Sequence, residues 1–194
     1  MGFPISRACH KTKIRALSPR THDRMSTDHQ HPLIDFYLGK AADHKGRTIE
    51  TIWQFSHFWL EHTHDYIQWL FPIPEPGRFN AFAPRLDDLA RNRFRESPEL
   101  QERQRRSLDV MLDFFGLQRH DLTISAGPEL NPKDHIWLKT GGHNHLRITR
   151  MIRSLHLCHQ PQLAAAFQTA VLTIGKDRGY VSELSRSYWE AATS

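Results

Sequence analysis

Apolar side chains recur three and four residues apart over most of the chain beyond residue 31, and this spacing is typical of amphipathic helices. It is clearest over residues 97–116, where Ser97 and Pro98 suit a helix start and Gly116 suits a helix end. We therefore predict a helix over this stretch. Its inward stripe comprises Leu100, Gln104, Leu108, Met111, Leu112 and Phe115.

The C-terminal part of the chain repeats the helical spacing twice. One predicted helix follows Gly142, and a second begins near Gln162. We expect Gly175 and Gly179 to interrupt the second helix, and a last short helix to form within VSELSRSYWEA. The residues expected to face inward on the helix after Gly142 are Ile148, Met151, Ile152 and Leu155.

The densest aromatic stretch is TIETIWQFSHFWLEHTHDYIQWLFP, residues 48–72. Thr48 can cap a helix at its start, and a break is expected near 62–65, where Thr63 or Asp65 could cap a second helix. Pro72 then ends the helical pattern, because proline lacks the amide donor and clashes with the preceding turn. The aromatic rings of this stretch are expected mainly in the core.

No segment alternates apolar and polar residues for long enough to predict a sheet. The sequence therefore predicts an all-α fold, a single compact bundle of about seven to nine helices with Pro-rich connecting loops. The helical domain is placed at 31–194. Residues 1–30 are polar, basic and without periodicity, and we interpret them as a disordered basic arm.

The formal net charge of +5 comes from this arm, since residues 1–25 carry six basic side chains and a single acidic one. The remainder is electrically balanced, so nucleic acid is an unfavoured partner for the domain. Cys9 and Cys158 lie far apart without metal or redox spacing, which favours a reducing compartment and a soluble, cytoplasmic protein. No apolar run is long enough for a transmembrane segment, but peripheral membrane association through the arm stays open.

Two polar clusters are candidates for chemistry. On a continuous helix His57, Glu61, His64 and Gln68 would share one face, where imidazole and carboxylate could bind zinc or act as an acid–base pair. The spacing lacks the tight HExxH pattern, so we favour the interpretation that these side chains fix the packing of the aromatic stretch through hydrogen bonds. No catalytic motif, metal site or cofactor is predicted.

The second cluster follows Gly141 and Gly142 and comprises His143, Asn144, His145, Arg147, Thr149, Arg150 and Arg153. Free amides after two glycines, together with the arginines, could bind the carboxylate or phosphate of a ligand. Alternatively the arginines form a solvated face opposite the apolar stripe, with Arg147 paired to a carboxylate of the domain. The residue pattern leaves both interpretations open.

Four blocks in order along the chain resemble the opioid growth factor receptor family. YIQWLFP at 66–72 is preceded by LEHTHD, where the family typically has Leu-Glu-His-x-His. LDFFGL at 112–117 resembles its Leu-Glu-Phe-Phe-Gly-Ile block, and HNHLRITRMIRSL at 143–155 resembles its His-Asn-Tyr-Leu-Arg-Ile-Thr-Arg block. The likeness covers about 33–157 and departs at His145, where the family usually has tyrosine.

This resemblance implies a receptor-like domain, since animal members are described as receptors for the pentapeptide Met-enkephalin, associated with the nucleus and membranes. It carries over no catalytic or ligand residues. We predict a domain that binds a peptide or other small anionic ligand where the blocks around Trp69 and Arg147 meet. The alternatives are a metal-dependent enzyme built on the His/Glu cluster, or a scaffold whose arm binds nucleic acid or anionic lipid. The predicted ligand-binding residues are His64, Gln68, Trp69, His143, Asn144, Arg147 and Arg150.

Overall fold

The computed structural model of the chain describes residues 1–2, 31–76 and 81–194. Within these ranges the chain forms nine α-helices, one β-hairpin and two short 3-10 segments, Ile136–Leu138 and Ala191–Thr193. The helices are α1 (Pro32–Tyr37), α2 (Ile49–Trp53), α3 (His57–His62), α4 (Ile67–Leu70), α5 (Asp88–Glu96), α6 (Pro98–Phe114), α7 (His143–Leu157), α8 (Pro161–Asp177) and α9 (Glu183–Glu190).

Helix starts follow the capping chemistry of the sequence. The hydroxyls of Thr48 and Ser97 accept hydrogen bonds from the amides of Thr51 and Leu100, which begin α2 and α6. The predicted break in the aromatic stretch is confirmed, since α3 ends at His62 and α4 begins at Ile67. However, no side chain caps α4, so the proposed capping roles of Thr63 and Asp65 are wrong.

The core is a layer of apolar side chains between the two long C-terminal helices and the elements that pack on them. Helices α7 and α8 lie against each other, and the predicted inward face of α7 is fully buried. Trp189 of α9 is also fully buried, and its indole N–H donates to the carbonyl of His145 at 3.1 Å. The last helix is thereby attached to α7.

The prediction of an all-α fold is wrong, because the mostly helical chain also contains a two-stranded antiparallel sheet. Strand β1 (Leu117–His120) pairs with β2 (Thr123–Ala126). Asp121 adopts a left-handed conformation (φ 54°), which fits the tight turn between them. Strands of four residues are too short to show a sustained alternation, so the sequence pattern did not reveal them.

Two further expectations have different outcomes. Helix α8 continues through Gly175 to Asp177, so that glycine does not interrupt it. A Cβ atom at Gly175 would lie 3.2 Å from the Val181 side chain, and the glycine instead permits close packing of the following segment.

The predicted disordered basic arm, 1–30, falls almost wholly outside the described residues and stays a prediction.

Replacing Gly116 with alanine should destabilise the protein. Gly116 ends α6 with φ +69°, and an added Cβ would lie 2.4 Å from the Nε2 atom of His135. Strained backbone and a displaced ring should together lower the free energy of unfolding by about 1–3 kcal/mol. Urea denaturation measures this. The control is Gly141→Ala, which meets open space and should change stability by less than about 0.5 kcal/mol; equal effects of both changes would contradict the prediction.

Candidate functional site

The C-terminal end of α3 is closed by an arginine of α7. The last carbonyl groups of a helix have no hydrogen-bond donors within the helix, and here the guanidinium of Arg147 is the donor. Nη1 donates to the carbonyl of Leu60 at 2.8 Å, and Nη2 donates to the carbonyl of Thr63 at 2.8 Å and approaches that of Glu61 at 3.4 Å. The two blocks around Trp69 and Arg147 therefore meet, as the sequence analysis predicted.

The side chains around Arg147 complete this junction. Nη1 also donates to Asn144 Oδ1 at 3.0 Å, and Nη2 lies 3.0 Å from Nδ1 of His64. The guanidinium carbon sits 5.5 Å from the ring centroid of Tyr66, whose hydroxyl donates to the carbonyl of Leu60. Burial lowers the pKa of Arg147, but an arginine remains charged in proteins. The result is a buried cation held by carbonyl dipoles and an aromatic face.

Arg147 is only 4% exposed, so the interpretation that it lies on a solvated face and pairs with a carboxylate is wrong. Among the residues that the structure describes, its hydrogen-bond partners are carbonyls, an amide and an imidazole, and none is a carboxylate. A ligand carboxylate would have to displace these bonds. The ligand-binding role assigned to Arg147 stays a prediction, whereas its role in joining α3 to α7 is a feature of the structure.

Glu61 connects the same two helices on the outer side of the junction. Asn144 Nδ2 donates to Oε2 of Glu61 at 3.0 Å, and Nε2 of His143 lies 3.0 Å from its Oε1. The rings of His143 and His64 meet edge to face, 4.8 Å apart. Burial, followed by the positive charge of Arg147, lowers the pKa of His143. The lowered pKa favours the uncharged form of this imidazole at neutral pH.

The remaining predicted site residues lie on other sides of this junction. Gln68, with its amide nitrogen turned inward, donates to the carbonyls of His64 and Asp65. Trp69 is buried, packs against Phe36 and donates from its indole to His44 at 3.3 Å. Arg150 donates to the carbonyl of Phe71 at 3.2 Å. Thus His64, His143, Asn144 and Arg147 converge, while Gln68, Trp69 and Arg150 each support the backbone or core beside them.

A cleft of about 160 Å³ opens next to Glu61 and Asn144. Its walls come from α3, from the end of α6, from the start of α7 and from the segment around Trp137. Three aromatic side chains and two carboxylates line it, and no lysine or arginine of the described chain does. The lining residues are His57, Glu61, Phe114, Phe115, Asp134, His135, Ile136, Trp137 and Asn144.

Sequence reasoning missed most of this cleft. Phe115 was predicted only as part of the inward stripe of its helix, and Phe114 only as part of the LDFFGL block. Asp134 and Trp137 belong to a loop of mostly polar residues, and nothing local shows that it folds back over α6. The one available signal was the apolar run Ile-Trp-Leu at 136–138 inside that loop, which indicates a segment returning to the core.

The metal-binding interpretation finds no support in the geometry. Helix α3 ends before His64, so the His57, Glu61, His64 and Gln68 face does not exist as a continuous stripe. Instead, His57 pairs with Asp113 at 2.9 Å. Over 31–76 and 81–194, no three His, Cys, Asp or Glu side chains are grouped to hold a metal ion. None of the helices described there is both long and apolar enough to cross a bilayer.

The fold and the site define a class: a mostly helical domain in which a histidine- and arginine-rich helix closes the end of an aromatic helical stretch. The family model described as the opioid growth factor receptor (OGFr) conserved region matches residues 27–183. The chain belongs to this family, as its sequence blocks predicted.

Curated relatives agree with this assignment. The opioid growth factor receptor of Mus musculus is 40% identical over 129 residues, which cover 63% of this chain and 20% of that protein. The opioid growth factor receptor-like protein 1 of Xenopus tropicalis is 37% identical over 129 residues, covering 63% of this chain and 25% of that protein. The matched part thus spans a quarter or less of these relatives. No solved structure matches the chain.

Proposed function

We propose that this domain is a receptor-like module that binds a peptide, and that the cleft beside Glu61 holds the peptide's aromatic N-terminal residue. The proposal rests on one observation: a cleft with aromatic walls contains a carboxylate that accepts a hydrogen bond from Asn144. The names of the relatives, which are opioid growth factor receptors and receptor-like proteins, support a ligand-binding role.

The size of the cleft supports a single aromatic side chain as its occupant. Its volume of about 160 Å³ is close to the roughly 150 Å³ cavity that is known to accept a benzene ring. Phe114, Phe115 and Trp137 would contact such a ring at the edge-to-face and offset angles that aromatic pairs favour. The rest of a peptide would lie outside the cleft, across the exposed part of α3.

The charge of the cleft supports a cationic group next to that ring. Glu61 and Asp134 contribute two carboxylates, and the lowered pKa of His143 leaves Glu61 unneutralised by its nearest imidazole. Each oxygen of Glu61 retains a further lone pair for an ammonium donor. The site is less suited to an anionic ligand, because the nearby arginines already donate hydrogen bonds within the protein. Arg147 donates to backbone carbonyls, Arg150 to the carbonyl of Phe71 and Arg153 to the carboxylate of Glu75.

Titration calorimetry with Met-enkephalin, which begins with tyrosine and a free ammonium, tests the proposal. We expect measurable binding, and about tenfold weaker binding when the peptide is N-acetylated, because acetylation removes the charge that faces Glu61. Glu61→Gln should weaken binding of the free peptide by a similar factor and leave the affinity for the acetylated peptide unchanged.

The matched control is Glu96→Gln, an exposed carboxylate on α5 away from the cleft, which should leave affinity unchanged. Thermal melting of each variant shows that the fold is intact. Equal affinity for the free and acetylated peptides, or no heat at millimolar peptide, would remove the proposal.

A further inference from the structure

Within the described residues, neither outer edge of the hairpin pairs with a further strand, and the outer edge of β2 lies beside a groove. The amide of Gly127 donates to the carbonyl of Gly116 at 2.8 Å, which marks a hydrogen-bonded pair at the open end of the hairpin. In an antiparallel ladder bonded and non-bonded pairs alternate. With the observed register, Gln118 and Ser125 form the next bonded pair, and the pairs that contain Ile124 and Ala126 are non-bonded.

It follows that the amide and carbonyl groups of Ile124 and Ala126 point away from β1. The sheet has two strands within the described chain, so no third strand meets these groups there. Proteins commonly protect such an edge with proline, or with lysine or another charged residue. The β2 sequence, Thr-Ile-Ser-Ala, contains none of these. The edge offers main-chain donors and acceptors two residues apart.

A groove of about 630 Å³ lies directly beside this edge, between β2 and α8. It is wide because the side chains of α8 that line it are small. Ile124 and Ala126 pack partly against the core at its floor. The small lining residues of α8 are Ala165, Ala166, Thr169, Ala170 and Thr173.

The charge of the groove narrows the chemistry of its occupant. Only Asp177 and Arg178 are charged among its lining residues; they have opposite signs and lie together at the end of α8. A strongly charged segment would lose hydration without gaining a counter-charge along the groove. An uncharged extended segment loses little hydration on entering the groove and gains main-chain hydrogen bonds.

We propose that β2 and the α8 groove bind an extended, uncharged segment of a partner protein, which adds to β2 as a third strand. Every second side chain of that segment would face α8, where the small lining residues leave room for it. This surface shares no lining residue with the cleft beside Glu61, so the proposal does not depend on peptide binding there.

A second copy of the chain is a poorer occupant. Its own β2 edge is four residues long and lies beside its own α8, so two such edges can meet only at their rims. The grooves would then stay unfilled. A single extended strand enters the groove and uses both the edge and the small side chains of α8.

Amide exchange followed by NMR tests the edge itself. In the free protein the amides of Ile124 and Ala126 should exchange much faster than those of Thr123 and Ser125, which face β1. Comparable protection of all four amides in the free protein would mean that the edge is already occupied, and would overturn the proposal.

Peptide display tests the ligand. A library of unstructured ten-residue peptides is selected on the wild-type chain and screened against Thr169→Trp, which fills the groove from an exposed position. The matched control is Lys176→Trp, an exposed position on α8 outside the groove lining. We expect uncharged peptides whose affinity falls at least about tenfold on Thr169→Trp and stays within about twofold on Lys176→Trp.

N-methylation of the best peptide then identifies the binding mode. Methylation at alternate residues should weaken binding about tenfold in one set of positions and leave it unchanged in the other, because only every second amide of an added strand faces β2. Ala126→Pro removes one outward amide without touching the ladder, and should weaken the same peptide. Selection of no groove-dependent peptide would overturn the proposal, as would equal effects of both methylation sets. If the chain dimerised in a concentration-dependent way and Ala126→Pro abolished the dimer, the occupant of the edge would be a second copy of the chain. That result would also overturn the proposal.

Discussion

Arg147→Met is expected to lower the free energy of unfolding by roughly 3–5 kcal/mol. The substitution keeps a long side chain but removes the cation that satisfies the carbonyls at the end of α3. Leu60 and Thr63 would then keep buried carbonyls without that donor. For a chain of this length a loss of this size corresponds to a melting temperature lower by roughly 6–20 °C. Circular dichroism during urea and thermal unfolding measures it.

Two further variants separate charge from geometry. Arg147→Lys keeps the charge but cannot reproduce the planar fork that reaches several carbonyls at once, so it should recover only part of the lost stability. Arg153→Met removes a surface arginine of the same helix that pairs with Glu75, and should cost less than about 1 kcal/mol. If Arg147→Met were no more destabilising than Arg153→Met, the joint between α3 and α7 would not depend on this arginine.

Trp189→Ala, which removes an indole packed on the first turn of α7, should have an effect of similar size. Trp189 is fully buried, lies 6.3 Å from the ring of Trp137 and donates to the carbonyl of His145. Truncating a buried tryptophan to alanine leaves a large cavity and typically costs about 3–5 kcal/mol. The His145 carbonyl also loses its indole donor. Chemical denaturation measures the total loss, and limited proteolysis shows whether α9 detaches first.

The neighbouring residue supplies the control for this prediction. Tyr188 is on the same helix but is 56% exposed, so Tyr188→Ala should change stability by less than about 1 kcal/mol. Similar losses for the two variants would show that helix propensity, and not the buried indole, holds α9 in place.

These two anchors explain why the candidate cleft has a defined shape. Arg147 fixes the end of α3, which carries Glu61, and Trp189 packs on the same helix α7 that carries Asn144. The carboxylate of Glu61 and the amide of Asn144 that donates to it therefore both stand on helices that are fixed to the core. A preorganised site of this kind loses less conformational entropy when a ligand binds than a mobile one would.

The histidine that departs from the usual family residue is accommodated by the same packing. His145 lies 2.7 Å from the carbonyl of Trp137 through Nε2 and 2.7 Å from the hydroxyl of Ser185 through Nδ1. Burial lowers the pKa of His145, so its neutral form is favoured, with one nitrogen donating and the other accepting. A polar ring can occupy this buried position because both of its nitrogens have partners.

The sequence alone determined the long helices, the family and the meeting of two blocks. Caps at Ser97 and Gly116 and the stripe from Ile148 to Leu155 act through neighbours three and four residues apart, so they are visible along the chain. Tertiary structure alone decided the burial of Arg147, because an arginine on a helix is ordinarily exposed and the sequence does not show which backbone carbonyls it meets. The burial of Arg147 is favourable only because α3 packs against α7 and its terminal carbonyls accept hydrogen bonds from the guanidinium. The hairpin and the cleft were decided in the same way, because a four-residue strand and a folded-back loop take their stability from contacts with distant residues.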